Sequence, residues 1–225
     1  MEKRSFIKQY AKITITSLVV FFGIWQPVFG QSEGAKKMFA EIRQHLNAPV
    51  NEIEIYSLAD CAGPEGTYKS EVKGDGFNLF FSQVFSYRDE SLELHISGDE
   101  GTDASGKPLD NFMIFYGRMH DYVRIALQPE YLIRRVDSVI TNDDGSTVLG
   151  KTHSDYKVEY VTNDQNVPVN FTFYLDKAQS ITTWFDEWMF SDQGIKVPKT
   201  VRIVDGEKVF TFSYTDISIK EIRKG

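Results

Sequence analysis

The side chains able to do covalent or metal chemistry are few and scattered along the chain. The four histidines, His45, His95, His120 and His153, stand alone, with no HExxH and no pair one helical turn apart. His120-Asp121 is the one histidine next to a carboxylate, and it reads as a surface pair on a helix. The single cysteine, Cys61, has no basic residue within five positions, so nothing local favours its thiolate and it reads as a buried spectator thiol. There is no Gly-x-Ser-x-Gly elbow and no GxGxxG. Ser105-Gly106-Lys107 lacks the spacing of a phosphate loop and reads as a turn.

Carboxylates are more suggestive. Asp99, Glu100, Asp103 and Asp110 share one loop and could offer oxygens to Ca²⁺, but they miss the EF-hand spacing, and a solvated loop explains them. Trp184-Phe185-Asp186-Glu187-Trp188 is an aromatic–acid cluster. In a regular strand residues 184, 186 and 188 share a face, so two indoles would flank Asp186, an arrangement suited to stacking on a sugar or to a structural ladder. A glycosidase needs two carboxyls facing each other at about 5–10 Å, which spacing in sequence does not supply. No metal and no cofactor is expected.

The chemistry that remains is apolar area. Of 225 residues, 41% are hydrophobic and 14% aromatic, including 17 Phe and 11 Tyr, the composition of a folded protein with ample material for a core. Met1 to Gly30 reads as an export signal. Lys3, Arg4, Lys8 and Lys12 precede an apolar stretch from Ile13 to Trp25, and Val28-Phe29-Gly30 suits cleavage before Gln31. That stretch is short of the ~20 residues needed to span a bilayer, so no transmembrane segment is expected after cleavage. The expected mature chain, residues 31–225, keeps 21 bases and 31 acids, a net charge of −10, which disfavours nucleic acid and anionic membrane surfaces. With one cysteine it forms no internal disulfide, which suits a bacterial envelope.

Periodicity supplies the elements. Ala35, Met38, Phe39, Ile42 and Leu46 recur at helical steps, with Ser32 as a cap and Asn47 and Pro49 as the stop. The period then changes to two over Asn51–Leu58, Gly66–Lys73, Phe77–Phe85 and Ser91–Ser97, with turns at Gly74-Asp75-Gly76 and Arg88-Asp89-Glu90. A polar loop from Gly98 to Asp110 follows, long enough to be functional or mobile. After the apolar run Asn111–Tyr116, helical spacing returns at Met119, Tyr122, Val123, Ala126 and Leu127 and breaks at Pro129. Strands are predicted again at Val136–Thr141, Thr147–Lys151, Tyr156–Thr162, Val169–Asp176, Ser180–Phe190, Val197–Val204 and Lys208–Ile219. The expected fold is α+β and mainly β. One curved antiparallel sheet, an open half-barrel, is covered on one face by an N-terminal and a mid-chain helix, and residues 31–225 form one domain.

This layout resembles the periplasmic outer-membrane lipoprotein carrier and sorting proteins. Phe171-Thr172-Phe173-Tyr174-Leu175-Asp176-Lys177 is similar to that family's strand and acid-ended turn. Val197-Pro198-Lys199-Thr200-Val201, Asp205-Gly206-Glu207-Lys208 and Phe210-Thr211-Phe212-Ser213-Tyr214 resemble its closing hairpin. The resemblance implies an exported, non-enzymatic protein whose apolar concave face holds a lipid or an acylated lipoprotein, and it carries over no catalytic residue. The lining it would use begins with the shared face of Phe77, Leu79, Phe81 and Phe85, and continues with Leu92, Leu94, Phe112, Ile114 and the Trp184/Trp188 region. The same residues could form a closed core, which would leave an envelope structural or interaction protein. A glycan-acting hydrolase on the Trp184–Trp188 cluster or the acidic loop is the remaining alternative.

Overall fold

A computed structural model describes residues 33–133, 136–152, 156–174 and 179–222. Residues 1–30, expected to be an export signal, and Ser32, His153 and the Leu175–Lys177 end of the family-like strand lie outside these residues. Helix α1 (Glu33–Leu46) buries Ala35, Met38, Phe39, Ile42 and Leu46, the predicted stripe. It ends at Asn47, whose φ of 54° puts it in the left-handed region that a helix C-terminus favours.

Twelve strands then form one antiparallel sheet. They are β1 (Ile53–Gly63), β2 (Gly66–Gly74), β3 (Asn78–Phe85), β4 (Ser91–Ser97), β5 (Glu100–Asp103), β6 (Ser138–Thr141), β7 (Thr147–Thr152), β8 (Lys157–Thr162), β9 (Pro168–Tyr174), β10 (Ser180–Phe190), β11 (Lys196–Asp205) and β12 (Lys208–Glu221). Their spatial order is β5-β4-β3-β2-β1-β12-β11-β10-β9-β8-β7-β6, and the sheet stays open rather than closing into a barrel. Two meanders, β1–β5 and β6–β12, are joined where the last strand returns to pair with the first. Alternate residues are buried along β1 to β4, so each strand turns one row of side chains to the core and one to solvent.

The order has a topological consequence. Strands β5 and β6 are the two outermost strands, yet they are consecutive in sequence. The chain between them must therefore cross the sheet. It does so through α2 (Asn111–Met119), α3 (Tyr122–Leu127) and a 3₁₀ turn (Pro129–Tyr131). Each helix is started by an aspartate. Asp110 Oδ1 accepts from Met113 N–H at 2.9 Å, and Asp121 Oδ1 accepts from Arg124 N–H at 3.2 Å. The apolar run Asn111–Tyr116 is thus the first helix, and the mid-chain segment expected to be one helix is two, broken at His120-Asp121.

The Gly98–Asp110 loop also differs from expectation. Its first third is β5, paired with β4 from Leu94↔Asp103 to Ser97↔Glu100. Asp103 Oδ1 accepts from Ser105 N–H (2.9 Å), Ser105 Oγ–H (2.6 Å) and Lys107 N–H (3.0 Å), so one of the four loop acids is spent folding the turn and Asp110 is spent capping α2. The turn residues masked a short strand that has almost no apolar pattern of its own.

Candidate binding site on the concave face

Two apolar clusters share the inner face. One joins Leu79 and Phe81 of β3, Leu92, Leu94 and Ile96 of β4, and Val72 of β2 to Ile114 of α2. Five of the residues read from sequence as lining therefore meet: Leu79, Phe81, Leu92, Leu94 and Ile114 are all buried. Phe85 lies half-buried at the margin of this cluster, with its ring 5.5 Å from Tyr68. Phe112 is half-buried on α2, 6.3 Å from Tyr116. Phe77 is placed elsewhere. It precedes β3 in the β2–β3 turn, is 53% exposed and sits beside Gly98. The period-two pattern groups it with Leu79, but the strand begins one residue after it.

The second and larger cluster gathers α1, α3 and the inner faces of β1 and β7–β12. Trp188 packs against it with its ring 5.7 Å from Phe185. Trp184 does not join. It alternates with buried Thr183 and Phe185, pairs with Arg202 and lies 5.5 Å under that guanidinium, on the outer face. The expectation that residues 184, 186 and 188 share a face fails because the β10–β11 ladder is bulged. Phe185 opposes Val201, Glu187 opposes Thr200 and Trp188 opposes Pro198, so Asp186 on one strand and Lys199 on the other are extra residues. Asp186 is held by Arg202 through two hydrogen bonds of 2.7 and 2.9 Å, which ties up the acid that the hydrolase reading would need.

Sequence reading missed the residues that join the two clusters. Phe115 of α2 meets Phe173 of β9 at 5.8 Å, and Phe173 continues to Phe171 (6.1 Å), which continues to Phe185 (6.0 Å). Helix α2 therefore touches both halves of the sheet: Ile114 and Gly117 lie over β3 and β4, and Phe115 reaches β9. Phe171 and Phe173 do alternate in sequence, which signals an inward face. Their meeting with Phe115, far away in the chain, has no local signal.

The polar fastenings lie at one end of α2 and in α3. Arg118 donates to the carbonyls of Gly76 (2.7 Å), Phe77 (3.0 Å) and Gly98 (2.6 Å) and to Tyr131 Oη (3.2 Å). One guanidinium thus clamps α2 to the β2–β3 and β4–β5 turns. Arg124, 2% exposed, pairs with buried Asp121 at 2.8 Å and donates to Ile53 O (3.0 Å) and Gly74 O (2.7 Å). His120 and Asp121 are both buried, not a surface pair. Asp121 turns to Arg124, while His120 Nδ1 bonds to Tyr116 O at 2.7 Å and its ring stacks among Phe81, Tyr116, Tyr122 and Phe212. Burial lowers the His120 pKa to about 4, so the imidazole stays neutral near pH 7. Cys61 is buried as expected, and burial pushes its thiol pKa up, away from nucleophilic use.

Among the described residues no three His, Cys, Asp or Glu side chains converge as metal ligands would. An open depression of about 1550 Å³ runs across the ends of β1–β5 and β12, lined chiefly by polar and charged residues such as Glu54, Lys73, His95 and Lys220. Its chemistry differs from that of the inner face, where area shielded from water is the main resource.

The sequence matches no protein-family model and no curated protein. The structure does have relatives among solved proteins. It is similar to a LolA superfamily protein from Nitrosomonas europaea, with a TM-score of 0.54 and 14% identity over 84% of this chain and 94% of that one. It is also similar to a domain described as an outer membrane lipoprotein-sorting protein from Vibrio parahaemolyticus, with a TM-score of 0.52 and 12% identity over 83% of this chain and 93% of that one. The chain shares their fold at low sequence identity.

Proposed function

We propose that this chain, built on the fold of lipoprotein-sorting proteins, is an exported, non-enzymatic carrier. It would hold a lipid or the acyl chains of a lipid-modified protein on its concave face, beneath α2. Export rests on the charged and apolar pattern of residues 1–30, and residues 31–225 would be the working domain in the bacterial envelope. A role in sorting outer-membrane lipoproteins is the finer form of the same proposal.

One observation carries this reading. Helix α2 bridges two apolar clusters of one concave face, through Ile114 on one side and Phe115 on the other, and it belongs to a cross-over segment rather than to the sheet. Lifting it would expose Leu79, Phe81, Leu94 and Phe173 as one surface. An acyl chain laid there would replace the helix's contacts at about 0.8 kcal/mol per buried CH₂, a gross gain of about 10 kcal/mol for a palmitoyl chain. The proposed lining is Leu79, Phe81, Phe85, Leu92, Leu94, Phe112, Ile114 and Trp188, joined by Phe115, Phe171, Phe173 and Phe185. Phe77 and Trp184 lie apart from it.

A second reading has its own support. Phe81 and Leu94 are fully covered in this conformation, as in a filled core, which fits an envelope protein that works through its surface. Native mass spectrometry of residues 31–225, purified from a bacterial periplasm without detergent, separates the two. A peak shifted by a lipid or acyl mass and lost on organic extraction supports the carrier. A clean apo mass, with no uptake of added phospholipids, fatty acids or acylated peptides, sinks it in favour of the interaction protein.

A further inference from the structure

An open sheet has two edges, and the two are built differently here. Strand β5 is covered by its own loop: Gly101 O accepts from Leu109 N–H at 2.9 Å, Asp103 N–H donates to Lys107 O at 3.0 Å, and Thr102 bridges to Pro108. Its acids, Glu100 and Asp103, add charge to that guard. Strand β6 has neither protection. It reads Ser-Val-Ile-Thr, without a charge or a proline, and Val139 and Ile140 are 37% and 55% exposed.

The direction of the β6 backbone follows from its pairing. Asn142 N–H donates to Ser146 O at 2.8 Å at one end, and Asp137 N–H donates to Gly150 O at 2.8 Å at the other. Bonded and non-bonded pairs alternate along an antiparallel ladder. With the register Ser138↔Gly150 to Thr141↔Thr147, Ser138 and Ile140 therefore turn their N–H and C=O groups to β7, and Val139 and Thr141 turn theirs outward. Among the described residues no hydrogen bond meets those outward groups. The side chains continue rows of the sheet. Val139 ends the inner row of buried Leu149, Tyr160 and Phe171, and Ile140 ends an outer row with half-buried Val148 and Val161.

We infer that β6 is the seam of a two-fold dimer, in which a second copy of this chain adds its own β6 antiparallel to the first. An axis at Ile140 sets Val139 of each copy against Thr141 of the other, so the outward N–H and C=O groups of both strands all find partners. Ile140 meets its own copy in the closer, non-bonded position, and the Val161–Val148–Ile140 stripe runs on into the second stripe. One uncharged strand supplies both sides of this match, so a copy fits the edge without any further feature. The acids beside the seam, Asp137 and Asp143, meet across the axis, and Lys151, 3.0 Å from Asp137, offsets part of their repulsion. A four-residue strand buries far less than the ~1,200 Å² of a standard interface, so the dimer is weak and depends on concentration. The two concave faces would lie side by side on one continuous sheet, whatever each of them holds.

The test is sedimentation of the protein purified from a bacterial periplasm, over roughly 1–300 µM, the range suited to a small interface. The wild type should rise from the monomer mass toward twice that mass. Ile140→Lys, which puts a charge on the axis, and Val139→Pro, which removes an outward N–H, should each weaken pairing about tenfold or more while the circular dichroism stays native. A cysteine pair then checks the register. Ile140→Cys should cross-link to its copy under mild oxidation, because Cα atoms in a non-bonded pair lie about 4.5 Å apart. Thr141→Cys should not, since the axis leaves its two copies diagonal to each other and beyond the ~7 Å that a disulfide bridges. The wild type, whose Cys61 is buried, serves as the control. A wild type that stays monomeric throughout overturns the inference and leaves β6 as an edge for a strand of another protein. Self-association that survives both edge variants, or cross-linking of Thr141→Cys as readily as Ile140→Cys, overturns it as well.

Discussion

Replacing His120 by Phe should remove a large part of the protein's sensitivity to acid. In the folded chain the imidazole lies among four aromatic rings, its Nδ1 bonded to Tyr116 O, and burial lowers its pKa to about 4. In the unfolded chain it titrates at its ordinary value of about 6.5. Between these two values the unfolded state binds more protons, so folding stability is complete above about pH 6.5 and falls as pH drops toward 4. At about pH 4.5 the unfolded imidazole is almost fully protonated and the folded one is mostly neutral, which costs on the order of 2–3 kcal/mol relative to pH 7.5. Phenylalanine keeps the ring contacts and has no proton to bind. Urea unfolding of both proteins at the two pH values gives the stability difference between them. That difference should move by roughly 2–3 kcal/mol in favour of the variant on acidification, while the carboxylates shared by both proteins cancel. A difference that stays constant within ~0.5 kcal/mol would show that the surrounding ring faces accommodate the imidazolium as a cation–π partner, and would refute the burial reasoning.

Three further outcomes follow from the same contacts. Arg118→Leu removes the clamp on three carbonyls and should cost about 2–3 kcal/mol, read as faster amide exchange in residues 111–119 with the central strands unchanged; unaltered exchange there would mean that the ring contacts alone hold α2. Arg124→Met leaves Asp121 buried without its partner and should cost about 3–5 kcal/mol in thermal or urea unfolding, partly recovered by adding Asp121→Leu; a cost below ~1 kcal/mol would contradict the burial of that pair. Cys61 should resist an aromatic disulfide reagent in the native protein and react fully in denaturant, and fast native labelling would place the thiol at the surface instead.

The buried Asp121–Arg124 pair also accounts for the shape of the cross-over. A six-residue helix has too few internal hydrogen bonds to persist alone, and α3 is buried at every position. Arg124 fixes it by satisfying the carbonyls of Ile53 and Gly74, at the start of β1 and the end of β2. The two helices thus differ in kind: α3 is locked by buried charge, and α2 is held at one end by Arg118 and along its length by rings. On the carrier reading, α2 is the part that moves.

What the sequence by itself determined is everything with a local period. Ala35 to Leu46 at helical steps, Ile53 and Ile55 alternating with Glu52 and Glu54, and turns such as Asp205-Gly206 are written within a few residues of where they act. Such features gave the strands, the antiparallel meanders, the first helix and five of the residues that meet under α2. Strand β5 escaped because Glu100–Asp103 carries no apolar alternation; it is a strand only because β4 is beside it. The rest was decided by partners distant in sequence. The bulges at Asp186 and Lys199 exist only in the pairing of β10 with β11, and they break the face that would have set Trp184 beside Trp188. Phe115 meets Phe173 only because β5 and β6 end up on opposite edges and force the chain across the sheet. Burial of His120, Tyr122 and Tyr214 has the same origin, since side-chain period reports which face a residue takes, while the depth of that face is set by whatever the rest of the chain lays over it.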